Sequence, residues 1–561
     1  MEVVGFVIGT SGLISVAEIC LKVARAIDGV AAFKEENASL YAIYNFEQVR
    51  LTLWIAHVLG ITDTASEINI DTLQIEETRL PRSLTSASPI NLHEPLQAAL
   101  AEVAKVLQKL TYLLQDKYGA KEVSLTRRIR FQTGIFKEGG KEEIRELLAQ
   151  LKTWNDSLDS VVESRMRHQL VSNMHVRLMS AAQTDQELQV IQSAAQDTHP
   201  PLEHEATFRR ELLSLGNRNG EQPSGLRISS LAMSPSLPPS ARKGTLRAMA
   251  RFELSDEQQP TRVLQEWKLG QPNWGDLERT TATTRADRLA TMLCLEHKPA
   301  KLRCLDLVAY AIADGPQNRL DFCFLYRPPS FADGISPPLT LHTALDKLSE
   351  RRMPTLAQRF SIAATLAESL LSFHTANWLH KAVCSSNVLF FTDAHTDAPD
   401  FRQPFVAGFE FSRPDTVRDL TLEGPASTGG FDLYCHPELV ASLAGDGRGR
   451  RRYQRRFDIY GLGVVLLEIG CWMTAASIIR SRGRTDVSSH EHLLETARIS
   501  LPSRVGMRYK QAVCACLTWE ADEAEDDSDV DPDTTHEERQ RQIEEFANMV
   551  VTALRDCHCT L

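Results

Sequence analysis

Apolar residues recur at spacings of three and four along the first 200 residues, the pattern of helices that bury one face. Within residues 13–27 this face consists of Leu13, Val16, Ile19, Cys20, Val23 and Ile27. The same spacing predicts four further helices, over residues 37–59, 95–118, 141–166 and 180–195. Since no alternating strand pattern interrupts this part, we expect an all-α bundle of about five helices.

The pattern changes after residue 210. Residues 217–243 are rich in Ser, Pro and Gly and lack periodicity, which is typical of a linker. Short apolar runs typical of strands then precede long helical segments, and these runs are residues 262–268, 320–326, 387–392 and 404–411. This order predicts an α+β domain with two lobes. We therefore expect a multidomain chain with a helical bundle (1–210), a linker (211–250) and an α+β domain (251–561).

Composition narrows the class of protein. The 561 residues include 62 Lys and Arg against 73 Asp and Glu, and the net charge of −11 argues against a dedicated nucleic-acid binder. Eleven cysteines are a sparse, odd-numbered set, typical of reduced thiols in a cytosolic protein rather than of a disulfide scaffold. No uncharged apolar run reaches the length of a conventional membrane-spanning helix. We expect a cytoplasmic protein that does not bind nucleic acid.

Two charge runs interrupt the C-terminal part. One is acidic and covers residues 520–533, and the other is a basic cluster of Arg448, Arg450, Arg451, Arg452, Arg455 and Arg456. We predict a solvated surface loop for each. For the basic cluster, binding to phospholipid headgroups or to the acidic run is the alternative.

Four blocks in the C-terminal half carry the most specific signal. His380 and Asn387 are seven residues apart in the run H-K-A-V-C-S-S-N, and residues 408–410 (G-F-E) follow an apolar run. Residues 434–438 (Y-C-H-P-E) come next, and then a helical segment over 457–469. In order and spacing these blocks resemble the catalytic loop, the D-F-G motif, the A-P-E motif and the following helix of eukaryotic protein kinases. The resemblance implies a two-lobed, protein-kinase-like fold.

The same resemblance implies a degenerate site. Ala382 stands where kinases have the catalytic-base aspartate, and Gly408 stands where they have the metal-holding aspartate. His380 and Asn387 remain, and the resemblance gives His380 the role of bracing the loop rather than of a base. Glu438 and Asp458 are implied to be structural. We expect no metal site and no efficient phosphoryl transfer.

A rival to the G-F-E block is the run Asp400-Phe401-Arg402, which begins thirteen residues after Asn387. We favour the block at Gly408 because the apolar run arrives only just before it, and because Arg402 lacks the conformational freedom of glycine.

The resemblance to kinases is weaker for the residues that would bind a nucleotide. No G-x-G-x-x-G motif precedes the predicted strand 262–268. Lys268 would be the nucleotide-binding lysine, with Asp287 or Glu296 as its partner, and an ordinary edge lysine is the alternative. No cofactor is expected, and weak, metal-independent ATP binding through Lys268 and Asn387 stays open.

The N-terminal part begins with an apolar segment that contains Gly5, Gly9 and Gly12, a stripe of small residues that allows close helix–helix approach in lipid. Packing as a buried first helix of a soluble bundle is the alternative and the commoner explanation of such a stripe. Together with the helix 13–27 and the run L-T-L-W-I-A-H-V-L-G-I (51–61), this start is similar to the HeLo domain of fungal prion-inhibition and propagation, heterokaryon-incompatibility and cell-death proteins. The resemblance implies a segment for membrane insertion or oligomerisation, made of Gly5, Phe6, Ile8, Gly9, Gly12 and Leu13.

A HeLo-like bundle followed by a pseudokinase implies an intracellular signalling protein, an effector of programmed cell death or heterokaryon incompatibility that perturbs membranes on oligomerisation. It would associate with itself through the bundle, contact membrane lipid on activation, and answer to an upstream signalling protein or kinase that the sequence does not identify. Two alternatives are an active, atypical Ser/Thr kinase that uses Asn387 with a displaced carboxylate, and a non-enzymatic scaffold whose bundle binds proteins.

Overall fold

The structure is a computed structural model in which the chain divides into two compact units. The first is Met1–Thr207 with Glu537–Glu544, and the second is Phe208–His536 with Glu545–Leu561. The described residues are 16–17, 19–24, 27, 33, 38–58, 93–114, 140–161, 164–196, 199–217, 226–228, 246–252, 261–270, 274–315, 319–348, 353–409, 412–415, 431–443, 453–482, 488–519 and 532–559. They form a mostly helical protein with mixed sheets, as expected of a multidomain chain.

The first unit is a set of helices. Those that the structure describes are α1 (Ala38–Val58), α2 (His93–Tyr112), α3 (Gly140–Val161), α4 (Ser164–Ala181), α5 (Asp185–Ala195) and α6 (Pro200–Asn217), the last of which continues into the second unit. Glu142 and Glu143 lie in the first turn of α3, where their charge complements the positive end of the helix dipole. The predicted all-α character of this part is confirmed for its described residues.

The core of the first unit follows the predicted apolar faces. Val16, Cys20 and Ile27 are fully buried, and they pack in one cluster with residues of α1, α2 and α3 such as Trp54 and Leu151. Leu13 lies outside the described residues, as do Gly5, Phe6, Ile8, Gly9 and Gly12, so the predicted membrane segment has no structural description.

The helix boundaries differ from the prediction in three places. The single helix predicted over 141–166 is two, α3 and α4, and the predicted helix 180–195 begins at Asp185 because Thr184 and Glu187 form a capping box. The sequence reasoning missed α6. This helix begins with two prolines, and proline is favoured in the first turn of a helix.

The second unit begins with a five-stranded sheet in the order β1-β4-β5-β3-β2, antiparallel except for the parallel pair β1–β4. Its strands are β1 (Arg227–Ile228), β2 (Leu246–Phe252), β3 (Thr261–Leu269), β4 (Asp306–Gly315) and β5 (Arg319–Arg327). The strands predicted over 262–268 and 320–326 are confirmed as β3 and β5. Both α6 and β2 extend into the range 211–250 that was predicted to be a linker.

Short strands form three small sheets in the described residues of the segment that follows. They are formed by β6 (Leu339–Thr340), β7 (Trp378–Leu379), β8 (Val388–Phe390), β9 (Thr392–Asp393), β10 (Ala398–Pro399), β11 (Phe405–Val406) and β12 (Arg413–Pro414). The antiparallel partner of β11 is β8, and that of β12 is β7. The apolar runs predicted as strands over 387–392 and 404–411 therefore contain shorter strands than expected.

Helices make up the rest of the second unit. They are α7 (Asp276–Cys294), α8 (Leu341–Lys347), α9 (Leu356–Thr375), α10 (Pro437–Leu443), α11 (Arg455–Cys471), α12 (Ala475–Arg482), α13 (Ser489–Val505), α14 (Met507–Leu517), the two ends of α15 (Pro532–Phe546), and α16 (Thr552–Cys559), with a π-helical turn at Ala547–Val551. The middle of α15, Glu537–Glu544, belongs to the first unit. The whole of α11 is buried. In the described part of the chain no single helix is long and apolar enough to cross a membrane, and α11 with Ala475–Ser481 passes that test only as a pair bent by 67°.

The prediction that the arginine cluster is a surface loop is wrong for its last two members. Arg455 and Arg456 begin α11 and are 3% and 9% exposed. Arg455 donates to Asp415 and Asn377, and Arg456 to Glu438. Buried arginines with such partners hold segments together, so these two are not available to lipid headgroups. The rest of the cluster, 448–452, lies outside the described residues.

Candidate functional site

The loop 380–387 connects β7 to β8, and its beginning is held by a buried carboxylate. Asp458 on α11 accepts the backbone N–H of His380 (2.9 Å) and of Lys381 (2.7 Å) and the hydroxyl of Tyr453 (2.9 Å). The Nε2 of His374 lies 3.6 Å from the same carboxylate. We call this group the Asp458 anchor. Burial alone would raise the pKa of Asp458, but the neighbouring His374, with His380 and the Lys381 amide, holds this pKa below its usual value.

His380 braces the loop from inside. Its Nδ1 lies 3.2 Å from the backbone nitrogen of Ala382, and its ring packs 4.9 Å from that of Phe409 and 5.9 Å from that of Phe373. Burial lowers the pKa of this imidazole, so it stays neutral. His380 is thus enclosed by the side chains around it, with 1% of its surface exposed.

Asn387 ends the loop and touches both positions at which the resemblance predicts missing aspartates. Its side-chain Nδ2 donates to the backbone carbonyl oxygen of Ala382 (2.8 Å). The backbone carbonyl oxygen of Asn387 accepts from the backbone N–H of Ala407 (2.9 Å). Ala382 is 1% exposed, so its position is enclosed and without charge.

Gly408 follows β11 and adopts a φ of +79°, in the region that favours glycine. A Cβ atom at this position would lie 2.1 Å from the Nδ2 of Asn387, far inside van der Waals contact. Any side chain here, an aspartate included, would therefore collide with Asn387 unless one of the two moved. Phe409 is buried against His380 as described above, whereas Glu410 lies outside the described residues.

The rival aspartate, Asp400, lies in a turn after β10. Its Oδ1 accepts from the backbone and the Nε of Arg402, at 3.0 and 2.8 Å. Burial would raise its pKa, but these hydrogen bonds and the charge of Arg402 keep it lowered. The carboxylate is thus engaged within its own turn.

Arg247 on β2 is a site residue that the sequence reasoning missed. It donates from Nε to Glu266 on β3 (2.7 Å), from Nη1 to the carbonyl oxygen of Ser386 (2.7 Å) and from Nη2 to Oδ1 of Asn387 (2.6 Å). We call these four residues the Arg247 cluster. A signal was available, because Arg247 and Glu266 are directly opposite in the β2–β3 ladder and carry opposite charges, a favourable cross-strand pair.

Lys268 lies two residues after Glu266 on β3, half-buried, with its Nζ 5.8 Å from the centre of the Phe322 ring. Of its two expected partners, Asp287 accepts the hydroxyl of Tyr310, and Glu296 is exposed beyond the end of α7. The structure thus brings Asn387 together with Gly408 and Arg247. The ammonium group of Lys268 lies instead against the ring of Phe322.

These residues do not fit a metal ion held as kinases hold it. Neither Ala382 nor Gly408 supplies a carboxylate, and the amide oxygen of Asn387 accepts from Arg247. Across the described residues there is no group of three or more His, Cys, Asp or Glu side chains placed to hold a metal.

A second network connects the loop to α11 and α12. The hydroxyl of Tyr434 bonds to Ser385 (2.8 Å) and to Oε1 of Glu468 (2.7 Å), which also accepts from the backbone of Ala475 (2.8 Å). Burial raises the pKa of Glu468 to about 7, although its hydrogen bonds act in the opposite direction. Glu438, expected to be structural, pairs through both carboxylate oxygens with Arg456 at 2.9 and 3.1 Å.

Comparison with known protein families places a match on the C-terminal part of the chain. The model of the family described as a domain of unknown function, DUF7580, matches residues 317–554. The matched range contains the loop 380–387, Gly408, Glu438 and Asp458, and it leaves out Arg247, Glu266 and Lys268 on β2 and β3. No curated protein matches the chain.

Proposed function

We propose that the second unit is a kinase-like domain without phosphotransfer activity, and that it regulates the N-terminal bundle as a HeLo-type effector of cell death or heterokaryon incompatibility. The observation that carries the proposal is the contact between Asn387 and Gly408. Gly408, which the kinase resemblance aligns with the metal-holding aspartate, supplies no carboxylate, and a Cβ atom there would lie 2.1 Å from the Asn387 amide.

The surrounding contacts support the same proposal. A phosphotransfer site needs a carboxylate to position the hydroxyl nucleophile and carboxylates to hold metal at the phosphates. Ala382 is enclosed and Asp400 is engaged with Arg402, so neither position offers such a group. The Asp458 anchor, by contrast, gives the loop a fixed backbone. A fixed loop without reactive groups suits a domain that acts by its shape and its contacts.

The test is transfer of labelled phosphate. Full-length protein incubated with Mg²⁺, radiolabelled ATP and a generic substrate such as casein should incorporate no label above a no-enzyme blank. Asn387→Ala should behave in the same way. Incorporation by the wild type that disappears in Asn387→Ala would establish an active kinase and reject the proposal.

The role of the bundle is tested separately. Full-length protein that has been chemically cross-linked into oligomers should release dye from vesicles with anionic lipid, because oligomers can combine short apolar segments that do not span a bilayer singly. Gly9→Leu removes part of the small-residue stripe and should reduce the release. Release that is absent, or equal in the variant, would remove the membrane step from the proposal.

A further inference from the structure

Three oxygen atoms from different parts of the second unit converge on the guanidinium of Arg247. The Oε1 of Glu266 lies 2.6 Å from Nη2, the Oδ1 of Asn387 lies 2.6 Å from the same nitrogen, and the carbonyl oxygen of Ser386 lies 2.7 Å from Nη1. The side chains of Arg247 and Glu266 are 10% and 3% exposed. The Arg247 cluster is therefore a shielded, oxygen-lined site with a cation in it.

The orientation of Asn387 makes this arrangement specific for a cation. Its amide nitrogen is used by the carbonyl of Ala382, so its oxygen must face Arg247. With the carboxylate of Glu266 and the carbonyl of Ser386, these described residues present one negative charge and three oxygen acceptors to Arg247. Carboxylate, amide and carbonyl oxygens are also the ligands that Mg²⁺, Mn²⁺ and Ca²⁺ take in proteins.

We propose that Arg247 is the resident cation of this site, that it excludes divalent metal ions while β2 is in place, and that the site accepts such an ion when the guanidinium is withdrawn. Arginine suits this role because its guanidinium is always charged and donates in fixed directions. The inference goes beyond the proposed function, since it depends only on the contacts of Arg247, whether or not the domain transfers phosphate.

The position of β2 makes withdrawal feasible. Among the described strands β2 lies at the edge of the sheet and pairs with β3 alone, so its displacement breaks a single ladder. Since Arg247 also reaches Ser386 and Asn387, any movement of this edge strand changes the contacts at the end of the loop 380–387. A bound metal ion and the guanidinium of Arg247, held there by β2, therefore cannot occupy the site at the same time.

Arg247→Ala in the full-length protein tests the proposal. The substitution leaves the buried carboxylate of Glu266 without its counter-ion, an unfavourable state that a divalent ion relieves. With Mn²⁺ as the probe and free Mn²⁺ counted by electron paramagnetic resonance, the variant should bind one ion at least roughly tenfold more tightly than the wild type. Mn²⁺ should also raise the Tm of the variant and not that of the wild type.

Two further variants locate the ion. Arg247→Ala combined with Glu266→Gln should lose the gained binding, because the negative charge that Glu266 contributes to the site is removed. Arg251→Ala is the matched control, since Arg251 lies on the same strand with an exposed side chain, and it should bind Mn²⁺ no better than the wild type.

Binding that is absent from Arg247→Ala, equally tight in the wild type, or retained in the double variant overturns the proposal. Should Arg247→Ala fail to fold, Arg247→Lys keeps a positive charge on β2 but lacks the fork that reaches three oxygens. Mn²⁺ binding by Arg247→Lys and not by the wild type then supports the proposal, and its absence from both rejects it.

Discussion

The Asp458 anchor and the Arg247 cluster hold the two ends of the same loop with charges of opposite sign. At the start of the loop an anion accepts the backbone N–H groups of His380 and Lys381. At its end a cation donates to the backbone carbonyl of Ser386 and to the side chain of Asn387. Ala382 lies between them without charge. This comparison shows that a loop can keep a fixed backbone without carrying reactive groups. Asp458 and Arg247, the charged groups that hold its two ends, lie on other elements of the domain.

The largest effect is expected at the anionic end. In Asp458→Asn an amide –NH₂ replaces one acceptor and faces backbone N–H groups, so we expect a loss of about 3–5 kcal/mol in the free energy of unfolding, as for a broken buried ionic network. Urea unfolding of the full-length protein measures this loss, and hydrogen exchange at residues 380–381 locates it.

The control for this prediction is Asp556→Asn. Asp556 pairs with Arg508, whose side chain is 61% exposed, and such a pair contributes less than about 1 kcal/mol. Equal midpoints for the two variants would mean that the Asp458 anchor does not hold the loop.

The second prediction concerns the close contact between position 408 and the side chain of Asn387. Gly408→Ala places a non-glycine residue at a positive φ, which costs about 1–3 kcal/mol. It also places a Cβ atom in steric conflict with the side-chain amide of Asn387. Overpacking adds to this cost, and the unfolding free energy from urea titration should fall by about 2–4 kcal/mol in all.

Gly506→Ala separates the two contributions. Gly506 has a similar φ of +85°, but a Cβ there would meet no atom within 4 Å. The excess loss in Gly408→Ala over Gly506→Ala measures the collision with Asn387, and no excess would contradict the close contact on which the proposed function depends.

The smallest effect concerns Glu468, whose network reaches the middle of the loop through Ser385. Its pKa of about 7 in the folded protein exceeds the value of 4.5 in an unfolded chain, so the folded state binds the extra proton between these values. Stability should therefore fall as the pH rises from about 4.5 to 7 and then stay level.

Glu468→Gln keeps the oxygen that accepts from Tyr434 and Ala475 but carries no charge. The variant should lose this slope and be more stable than the wild type at pH 8, by up to about 3 kcal/mol. Urea unfolding between pH 4.5 and 8 measures both. In Glu142→Gln, at a carboxylate that is 69% exposed, the wild-type slope should persist, and a slope that also persists in Glu468→Gln would show that another group causes it.

Much of the helical architecture could be predicted from the sequence because the apolar spacing of residues such as Val16, Cys20 and Ile27 directly reports a buried face. The spacing of His380 and Asn387 placed both on one loop. The rest depended on contacts between distant segments. Arg247 is 140 residues from Asn387, and its strand lies in a range whose neighbours have linker composition. Arg455 and Arg456 were misjudged because a run of charges does not show that Asp415 and Glu438 will meet two of them.

The contact between Gly408 and Asn387 also bears on how this sequence can evolve. A glycine or alanine codon that ends in T or C becomes an aspartate codon by a single base change. An aspartate at 408 would nevertheless enter the space of Asn387, whose amide is held by Ala382 on one side and by Arg247 on the other. An acidic side chain at 408 therefore requires a compensating change at Asn387 or a shift of the loop that carries it. The residue types tolerated at positions 387 and 408 are thus coupled, and a variant library that changes both positions together should recover folded sequences that single changes at 408 do not.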